Sequence, residues 1–204
     1  MTSVYDLKPR FQALLRPLTR GLVAQGVTAN QVTVAAMLAS VGTAIALWWL
    51  AGDRASLLLL PLLLFVRMAL NAIDGMIARE HDQKSQLGAI LNEVGDVVSD
   101  AALYLALVPA LAPYGAHAFP IVLFVIAAIL TEFVGVLVQA LGAGRRYDGP
   151  MGKSDRAAVV GLAAFLIALG VPAGWWLDGI MLLLAILAIW TCFNRARHAL
   201  RAEA

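Results

Sequence analysis

Charge is scarce in this 204-residue sequence. Charged residues make up 14% of the chain and hydrophobic residues 61%, whereas an ordinary soluble domain has about 25% charged residues. The mean hydropathy is +0.82. Cysteine is nearly absent too, since Cys192 is the only one, which excludes an intramolecular disulfide framework. These shortages exclude a soluble globular domain and a disulfide-stapled secreted protein, and they predict an all-α integral membrane protein.

Long apolar runs account for most of the chain. Six of them reach the length of about 20 residues that a helix needs to cross a bilayer. The run at 87–111 is the weakest because polar side chains interrupt it, but strongly apolar segments flank those side chains. Short, turn-rich connections favour one compact membrane domain over residues 29–204. We therefore predict six transmembrane helices, at residues 29–51, 55–77, 87–111, 118–142, 155–173 and 176–194.

Residues 1–28 precede the first apolar run and have an amphipathic pattern. Apolar residues recur there at helical spacing, and arginines largely occupy the other face. The pattern predicts a cytoplasmic arm that lies in the membrane interface as a helix, with a solvated arm as the alternative. Pro17 is expected to bend or split this helix. The apolar stripe consists of Phe11, Leu14, Leu15, Leu18 and Leu22.

Basic residues are unevenly divided between the two sides of the predicted helices. Arg54 is the only one in the loops of one side, whereas the N-terminal arm, the two long polar loops and the C-terminal segment carry nearly all others. By the positive-inside rule, both termini and these two loops are cytoplasmic. A basic cytoplasmic face suits anionic lipid headgroups, so the lipid bilayer is expected as a partner and nucleic acid is not.

Six of the thirteen acidic residues gather in one stretch, LNAIDGMIAREHDQKSQLGAILNEVGDVVSD, at residues 70–100. An ionised carboxylate in hydrocarbon costs roughly 2.5–3.5 kcal/mol on insertion scales, so it needs a cation or water beside it. The second and third predicted helices are joined by a short loop, which allows their polar faces to meet. Helical spacing groups Asn71 with Asp74 on the second helix. On the third helix it forms a stripe of Asn92, Asp96 and Asp100.

A divalent cation would turn the repulsion between these carboxylates into attraction. Two carboxylates about 4 Å apart repel by roughly 4 kcal/mol at an effective dielectric constant of 20. Hard oxygen ligands suggest magnesium, manganese or calcium rather than zinc. A proton relay, or an ion pair between Arg67 and Asp74, stays open as an alternative. Small residues and an arginine at the same junction favour a metal-chelated diphosphate: Gly75, Ala78, Arg79 and Gly88.

The spacing of these residues resembles the signature of the CDP-alcohol phosphotransferase (CDP-alcohol phosphatidyltransferase) family, D-x2-D-G-x2-A-R-x8-G-x3-D-x3-D. The chain keeps every spacing over 26 residues and six of the eight fixed positions, with Asn71 and Asn92 replacing the first and third aspartates. GVTANQVT is similar to the family's G-x-T-P-N-x-x-T, with Ala29 in place of proline. GKSD at 152–155 is similar to the G-K segment that enters the fifth helix.

The resemblance implies a six-helix membrane enzyme that binds the diphosphate of a CDP-linked donor through divalent cations, usually two. An acceptor hydroxyl attacks the phosphorus that bears the donor alcohol, and CMP leaves. By position in the motif, Asp96 is implied as the catalytic general base and as a metal ligand. The other implied ligands of one or two Mg²⁺ or Mn²⁺ ions are Asp74, Asn71 and Asn92, with Glu93 and Asp100 as candidate replacements. The residues implied to line the cytidine and diphosphate are Gly75, Ala78, Arg79 and Gly88.

The substrates follow less directly from the sequence. A site near the inner leaflet beside a basic arm favours CDP-diacylglycerol over another CDP-alcohol as donor. The expected acceptor is a small hydroxylated molecule without phosphate, because Thr131 precedes Glu132 where relatives with phosphorylated acceptors commonly have an arginine. Family members are commonly homodimers, so a homodimer is expected. The candidate acceptor or headgroup residues are Glu132, Arg145, Arg146, Lys153 and Arg156.

The loss of two motif carboxylates leaves three outcomes open. The chain is an enzyme with an altered or single metal, an enzyme with displaced ligands, or a non-catalytic member of the fold that binds CDP-lipid or nucleotide as a sensor or partner subunit. An ion-coupled transporter is least favoured, because the outer halves of the helices show no polar stripe. The preferred interpretation is a phospholipid-biosynthesis transferase in a bacterial inner membrane, with its active site facing the cytoplasm.

Overall fold

A computed structural model of the chain describes residues 4–144 and 149–202, and over these residues it contains helices and no strand. Short 3-10 turns at Ala55–Leu58 and Ala112–Tyr114 and a π-helical turn at Gln139–Ala143 extend three of the helices. The predicted all-α fold is confirmed. The α-helices of the described ranges are α1 Val4–Ala24, α2 Ala29–Trp49, α3 Leu59–Glu80, α4 Gln86–Leu105, α5 Leu107–Leu111, α6 Ala118–Val138, α7 Lys153–Ala168 and α8 Trp175–Ala202.

Five stretches of the described chain are long and apolar enough to cross a membrane, so an integral membrane protein is confirmed. The predicted fifth span, 155–173, was too long at its C-terminal end. α7 has 16 residues, and it ends at Ala168 because Gly170 has a left-handed backbone with φ of 93° and Pro172 follows. A sixth span therefore stays a prediction. The five stretches are Ala29–Trp49, Ala55–Glu80, Gln86–Tyr114, Ala118–Ala143 and Trp175–Arg201.

The N-terminal arm is one continuous helix, so Pro17 does not split it. α1 packs against α3, and the ring of Phe11 meets the ring of Phe65 edge-on, with 6.4 Å between centroids. Part of the predicted apolar stripe does not pack against the bundle. Leu14 and Leu18 point away from the protein and are exposed. An exposed apolar edge on a basic helix is what an interfacial helix presents to a bilayer. Its position in the interface stays a prediction.

The remaining helices form one bundle around an aliphatic core. α2 packs against α3 and α4, α6 packs against α4 and α8, and α7 packs against α3. Fully buried side chains such as Leu57, Leu107 and Leu177 fill the space between the helices. The ring of Tyr104 lies against that of Phe124, with 4.9 Å between centroids. This packing brings α7 and α8 over the polar halves of α3 and α4.

The two ends of the bundle differ in composition. Trp49 and Trp175 are exposed at the end formed by the C-terminus of α2 and the N-terminus of α8. Tryptophans are enriched at membrane–water interfaces, which agrees with a bundle that spans the bilayer. The polar stretch lies toward the opposite end, where α3 ends and α4 begins.

Candidate functional site

The site forms where three helix ends are held together. Thr28 caps α2 through its side chain, and Ser85 caps α4 by accepting a hydrogen bond from the backbone N–H of Gly88 at 2.9 Å. The backbone N–H of Ala29 donates to the side-chain oxygen of Gln83 at 3.0 Å. These bonds satisfy N–H groups that a helix start leaves free. The polar faces of α3 and α4 meet there, as predicted.

Asp74 is buried on α3 and is held by α2. Its Oδ2 accepts a hydrogen bond from Oγ1 of Thr33 at 2.8 Å. The charges of Asp96 and Lys153 lie close enough to act on it. Thr33 is the last residue of GVTANQVT, and the sequence analysis did not single it out as a site residue. Its place in a motif-like segment was the signal that could have identified it.

Several charged groups meet at Asp96 on α4. The ammonium of Lys153 contacts its Oδ1, the guanidinium of Arg67 lies 3.3 Å from the same oxygen, and Nδ2 of Asn71 donates to it at 3.5 Å. The Asp96 side chain is nevertheless 19% exposed. Side chains from α3 and α7 therefore converge on one accessible carboxylate, the one predicted to be the general base.

Asp100 lies one turn further along α4 and is enclosed by arginines. It forms an ion pair with Arg67, and its Oδ2 lies 3.6 Å from Nη2 of Arg156. Arg156 is fully buried and also lies 2.6 Å from Oε1 of Glu132 and donates to Thr131 Oγ1 at 2.7 Å. Arg67 thus pairs with Asp96 and Asp100, and its alternative pairing with Asp74 was wrong. The resulting charge chain links α3, α4, α7 and α6 and consists of Arg67, Asp100, Arg156 and Glu132.

A cavity of about 360 Å³ opens beside Asp96. Polar side chains from α3, α4, α6, α7 and α8 line it, so residues far apart in the sequence share one space. A volume of this size is in the range of small-molecule sites. Glu93 is partly buried on α4. It is not among the described residues that line this cavity. The polar lining residues include Asn71, Asn92, Asp96, Glu132, Lys153 and Arg195.

Arg195 lines this cavity although no motif identified it. It is buried on α8, and its guanidinium donates to the backbone carbonyl of Thr131. In the sequence it was one of several arginines at the cytoplasmic end, which topology alone explained. Its place in the site depends on the packing of α8 against α6.

Hydrogen bonds at the start of α7 fix the backbone that carries Lys153. Oδ2 of Asp155 accepts a hydrogen bond from the backbone N–H of Gly152 at 2.9 Å, and the backbone N–H of Met151 donates to Thr191 Oγ1 of α8 at 3.1 Å. These bonds fix the GKSD segment on both sides. Two other candidate headgroup residues, Arg145 and Arg146, lie outside the described residues.

The residues predicted to line the cytidine and diphosphate lie at the same junction. Arg79 is exposed and folds back over Gly75, where a Cβ would lie 2.9 Å from its Nη2. A Cβ at Gly88 would lie 2.8 Å from Oδ1 of Asn30 on α2. Ala78 packs against the small apolar cluster formed by α1, α2 and α3. The absence of a side chain at Gly88 leaves room for Asn30, and cytidine binding by this group stays a prediction.

The N-terminal helix is tied to the edge of this junction. Arg16 binds Glu80, with Nη2–Oε1 at 2.8 Å and Nε–Oε2 at 3.2 Å. The hydrogen bonds and the charge of Glu80 raise the pKa of Arg16 above its ordinary value. Both side chains are exposed, so this pair positions α1 beside Arg79 more than it stabilises the fold.

The oxygen donors at the junction suit a hard divalent cation. They are the carboxylates of Asp74 and Asp96 and the amides of Asn71 and Asn92, and the hydrogen bond from Asn71 uses its nitrogen and leaves its oxygen. Within the described ranges, no group of three or more His, Cys, Asp or Glu side chains is placed to hold a metal ion. Carboxylate and amide oxygens are ligands of Mg²⁺-type ions. By donor chemistry the set suits such an ion, and it carries half the negative charge of a four-aspartate motif.

The chain is similar to known proteins over nearly its whole length. A family model described as CDP-alcohol phosphatidyltransferase matches residues 26–199. The inner membrane protein YnbA of Escherichia coli (strain K12) is 46% identical over 198 residues, which cover 97% of this chain and 96% of that protein. A phosphatidylinositol phosphate synthase of Mycobacteroides abscessus is 26% identical over 193 residues, covering 94% and 85%. The prediction of a multi-pass bacterial inner-membrane protein agrees with YnbA.

Solved structures have the same fold. Phosphatidylinositol phosphate synthase (PgsA1) of Mycobacterium tuberculosis with CDP-DAG bound aligns with a TM-score of 0.74 and 24% identity, over 90% of this chain and 92% of that one. The same enzyme in complex with manganese and citrate aligns with a TM-score of 0.74 and 24% identity, over 90% and 87%. The family model covers most of the chain, and the prediction from the motif is confirmed: this chain belongs to the CDP-alcohol phosphatidyltransferase family.

Proposed function

We propose that the chain transfers a phosphatidyl group from CDP-diacylglycerol to a small hydroxylated acceptor, with release of CMP and in dependence on a divalent cation. Family membership supports this class of reaction. One observation carries the finer proposal: Asp96 keeps an accessible carboxylate at the edge of a polar cavity while the motif residue Asn71 and the cation Lys153 contact it. A hydroxyl group that enters this cavity meets Asp96.

Asp96 is proposed to accept the proton of the acceptor hydroxyl. Its Oδ1 contacts Lys153 and Arg67, and the exposed part of the side chain is free to accept a hydrogen bond. The hydroxyl oxygen forms a bond to the phosphorus that bears the diacylglycerol. The bond from that phosphorus to the oxygen of CMP breaks, and CMP leaves with the electron pair. The proton remains on Asp96.

A divalent cation, Mg²⁺ or Mn²⁺, is proposed to bind among Asp74, Asp96, Asn71 and Asn92. When bound, it neutralises charge on the donor's diphosphate. Thr33 fixes the orientation of Asp74 through its hydrogen bond, as outer residues commonly do for metal ligands. The manganese complex of PgsA1 supports a divalent cation in this fold.

A second cavity supports a lipid donor. It lies between α3 and α7, has a volume of about 450 Å³ and is lined mainly by apolar side chains, among them Leu64, Phe65 and Phe165. At one end this cavity reaches the polar side chains of Lys153 and Asn71. An apolar groove with a polar end matches the acyl chains and diphosphate of CDP-diacylglycerol. The PgsA1 structure with CDP-DAG bound supports this donor.

The charges around the polar cavity support an acceptor without phosphate. Arg156 is already paired with Glu132 and Asp100. It therefore offers less to a phosphate group than an unpaired arginine would. Hydroxyl groups would find acceptors in the carboxylates of the cavity. A homodimer, which the family resemblance implies, remains part of the proposal.

The test is an assay of CMP release by the purified full-length protein. It uses CDP-diacylglycerol, Mg²⁺ or Mn²⁺, and a panel of small alcohols, polyols and glycerol phosphates. We expect release that requires the metal, stops with a chelator and occurs with a non-phosphorylated acceptor. Release with glycerol phosphates alone would contradict the acceptor class. Binding of CDP-diacylglycerol without CMP release under any metal would contradict turnover and favour the sensor alternative.

A further inference from the structure

Lys153 lies at the proposed metal site. It is the first residue of α7, and its ammonium contacts the Asp96 carboxylate. Its side chain is 27% exposed, and it lines both the polar cavity and the apolar groove. Its charge also acts on Asp74. A built-in cation is therefore in contact with one motif carboxylate and near the other.

This position is fixed by the surrounding chain. The hydrogen bond between Gly152 and Asp155 sets the first turn of α7, and the bond from Met151 to Thr191 attaches the preceding loop to α8. The segment that carries Lys153 is thus held at the junction by these two hydrogen bonds.

The charge of the junction favours one divalent cation over two. The four motif positions carry two negative charges instead of four, since Asn71 and Asn92 are neutral. Lys153 and Arg67 both contact Asp96, so their positive charges already offset the two that remain. A single divalent cation already makes the sum positive, and a second would add like charge in a partly desolvated space, where repulsion is weakly screened.

We propose that the junction binds one divalent cation and that the ammonium of Lys153 supplies the positive charge of a second. This inference rests on the proposed function, because the charge serves a diphosphate donor. An ammonium has three N–H donors, so Lys153 can hold Asp96 and still donate to a diphosphate oxygen. Its place between the groove and the polar cavity is where such a group would lie if the acyl chains occupied the groove.

The test is the number of Mn²⁺ ions bound per chain, measured without substrate by equilibrium dialysis and by the electron paramagnetic resonance signal of free Mn²⁺. One Mn²⁺ per chain is expected for the full-length protein, for Lys153→Arg, which keeps the charge, and for Lys84→Met, which removes a loop charge. Lys153→Met is expected to bind Mn²⁺ at least tenfold more tightly, because it removes positive charge beside Asp96. Two ions per unmodified chain, none, or unchanged affinity in Lys153→Met would overturn the inference.

The failure of this inference is distinguishable from the failure of the proposed function. Mn²⁺ binding is counted without turnover, and the count on the unmodified chain does not depend on how a variant folds. CMP release together with two bound ions would leave the transferase intact and remove the role of Lys153. One bound ion with tighter binding in Lys153→Met, but no CMP release, would support the metal count and contradict the transferase.

Discussion

Asp96 and Asp100 occupy successive turns of α4 and have different surroundings. Asp96 keeps 19% of its side chain exposed beside a polar cavity, whereas Asp100 is 7% exposed and paired with Arg67 and Arg156. The Asp100 carboxylate is held between two guanidinium groups and is not among the described residues that line the polar cavity. We infer that Asp96 reacts and that Asp100 supports the structure, although both belong to one stripe in the sequence.

The largest effect is expected from Asp96→Asn, which removes the proposed base and keeps the shape of the side chain. CMP release should fall by at least about 1,000-fold, within the range of about 100- to 10,000-fold that proton transfer contributes. Asp82→Asn, in the exposed loop between α3 and α4, is the matched control and should keep full activity. Full activity in Asp96→Asn would contradict its assigned role.

We expect Asp100→Asn to lower the stability of the fold more than it lowers CMP release. The change leaves Arg67 and Arg156 without a shared carboxylate, and breaking a buried ion pair from one side destabilises by about 3–5 kcal/mol. Thermal unfolding in detergent should show a lower Tm than for Asp96→Asn. The double variant Arg67→Gln with Asp100→Asn should regain part of the loss, since it leaves one fewer uncompensated charge. An unchanged Tm with loss of CMP release would instead identify Asp100 as part of the reacting site.

Thr33→Val extends the comparison to Asp74, the other motif carboxylate. It removes the hydrogen bond at 2.8 Å, and the loss of an outer partner typically weakens metal binding by about 10- to 100-fold. We expect about tenfold weaker Mn²⁺ binding in equilibrium dialysis with an unchanged Tm. Thr43→Val, further along α2, is the control. Equal Mn²⁺ affinity in the two variants would show that Thr33 does not orient a metal ligand.

The smallest effect is expected from Ala158→Phe, which fills the groove between α3 and α7. The KM for CDP-diacylglycerol with long acyl chains should rise several-fold, because the added ring occupies the apolar space in which the acyl chains are proposed to bind. The KM for a short-chain analogue should change less. Leu169→Phe adds a ring at an exposed position just beyond α7 and serves as the control. Equal KM changes for both lipids would contradict the groove as the acyl site.

Local spacing predicted the parts of the site that lie on neighbouring helices. The intervals between Asn71 and Asp74, and between Asn92 and Asp96, place each pair on one helix face, and a short loop brings the two faces together. The amphipathic arm is a local pattern of the same kind. Such features could be predicted because neighbouring residues determine them.

The parts that the sequence did not predict depend on contacts between distant segments. Lys153 meets Asp96 only because α7 packs against α3, and Arg195 reaches the cavity only because α8 packs against α6. The partners of Arg67 could not be chosen from spacing, because Asp96 and Asp100 lie on another helix. Packing therefore decides which carboxylate stays accessible.

The most direct test of the account is CMP release by Asp96→Asn and Asp100→Asn, measured side by side below the Tm of both. The account predicts a fall of at least about 1,000-fold in metal-dependent release for Asp96→Asn and substantial release from Asp100→Asn, per folded protein. Release by Asp96→Asn together with its loss in folded Asp100→Asn would contradict the account and move the reacting carboxylate one turn along α4.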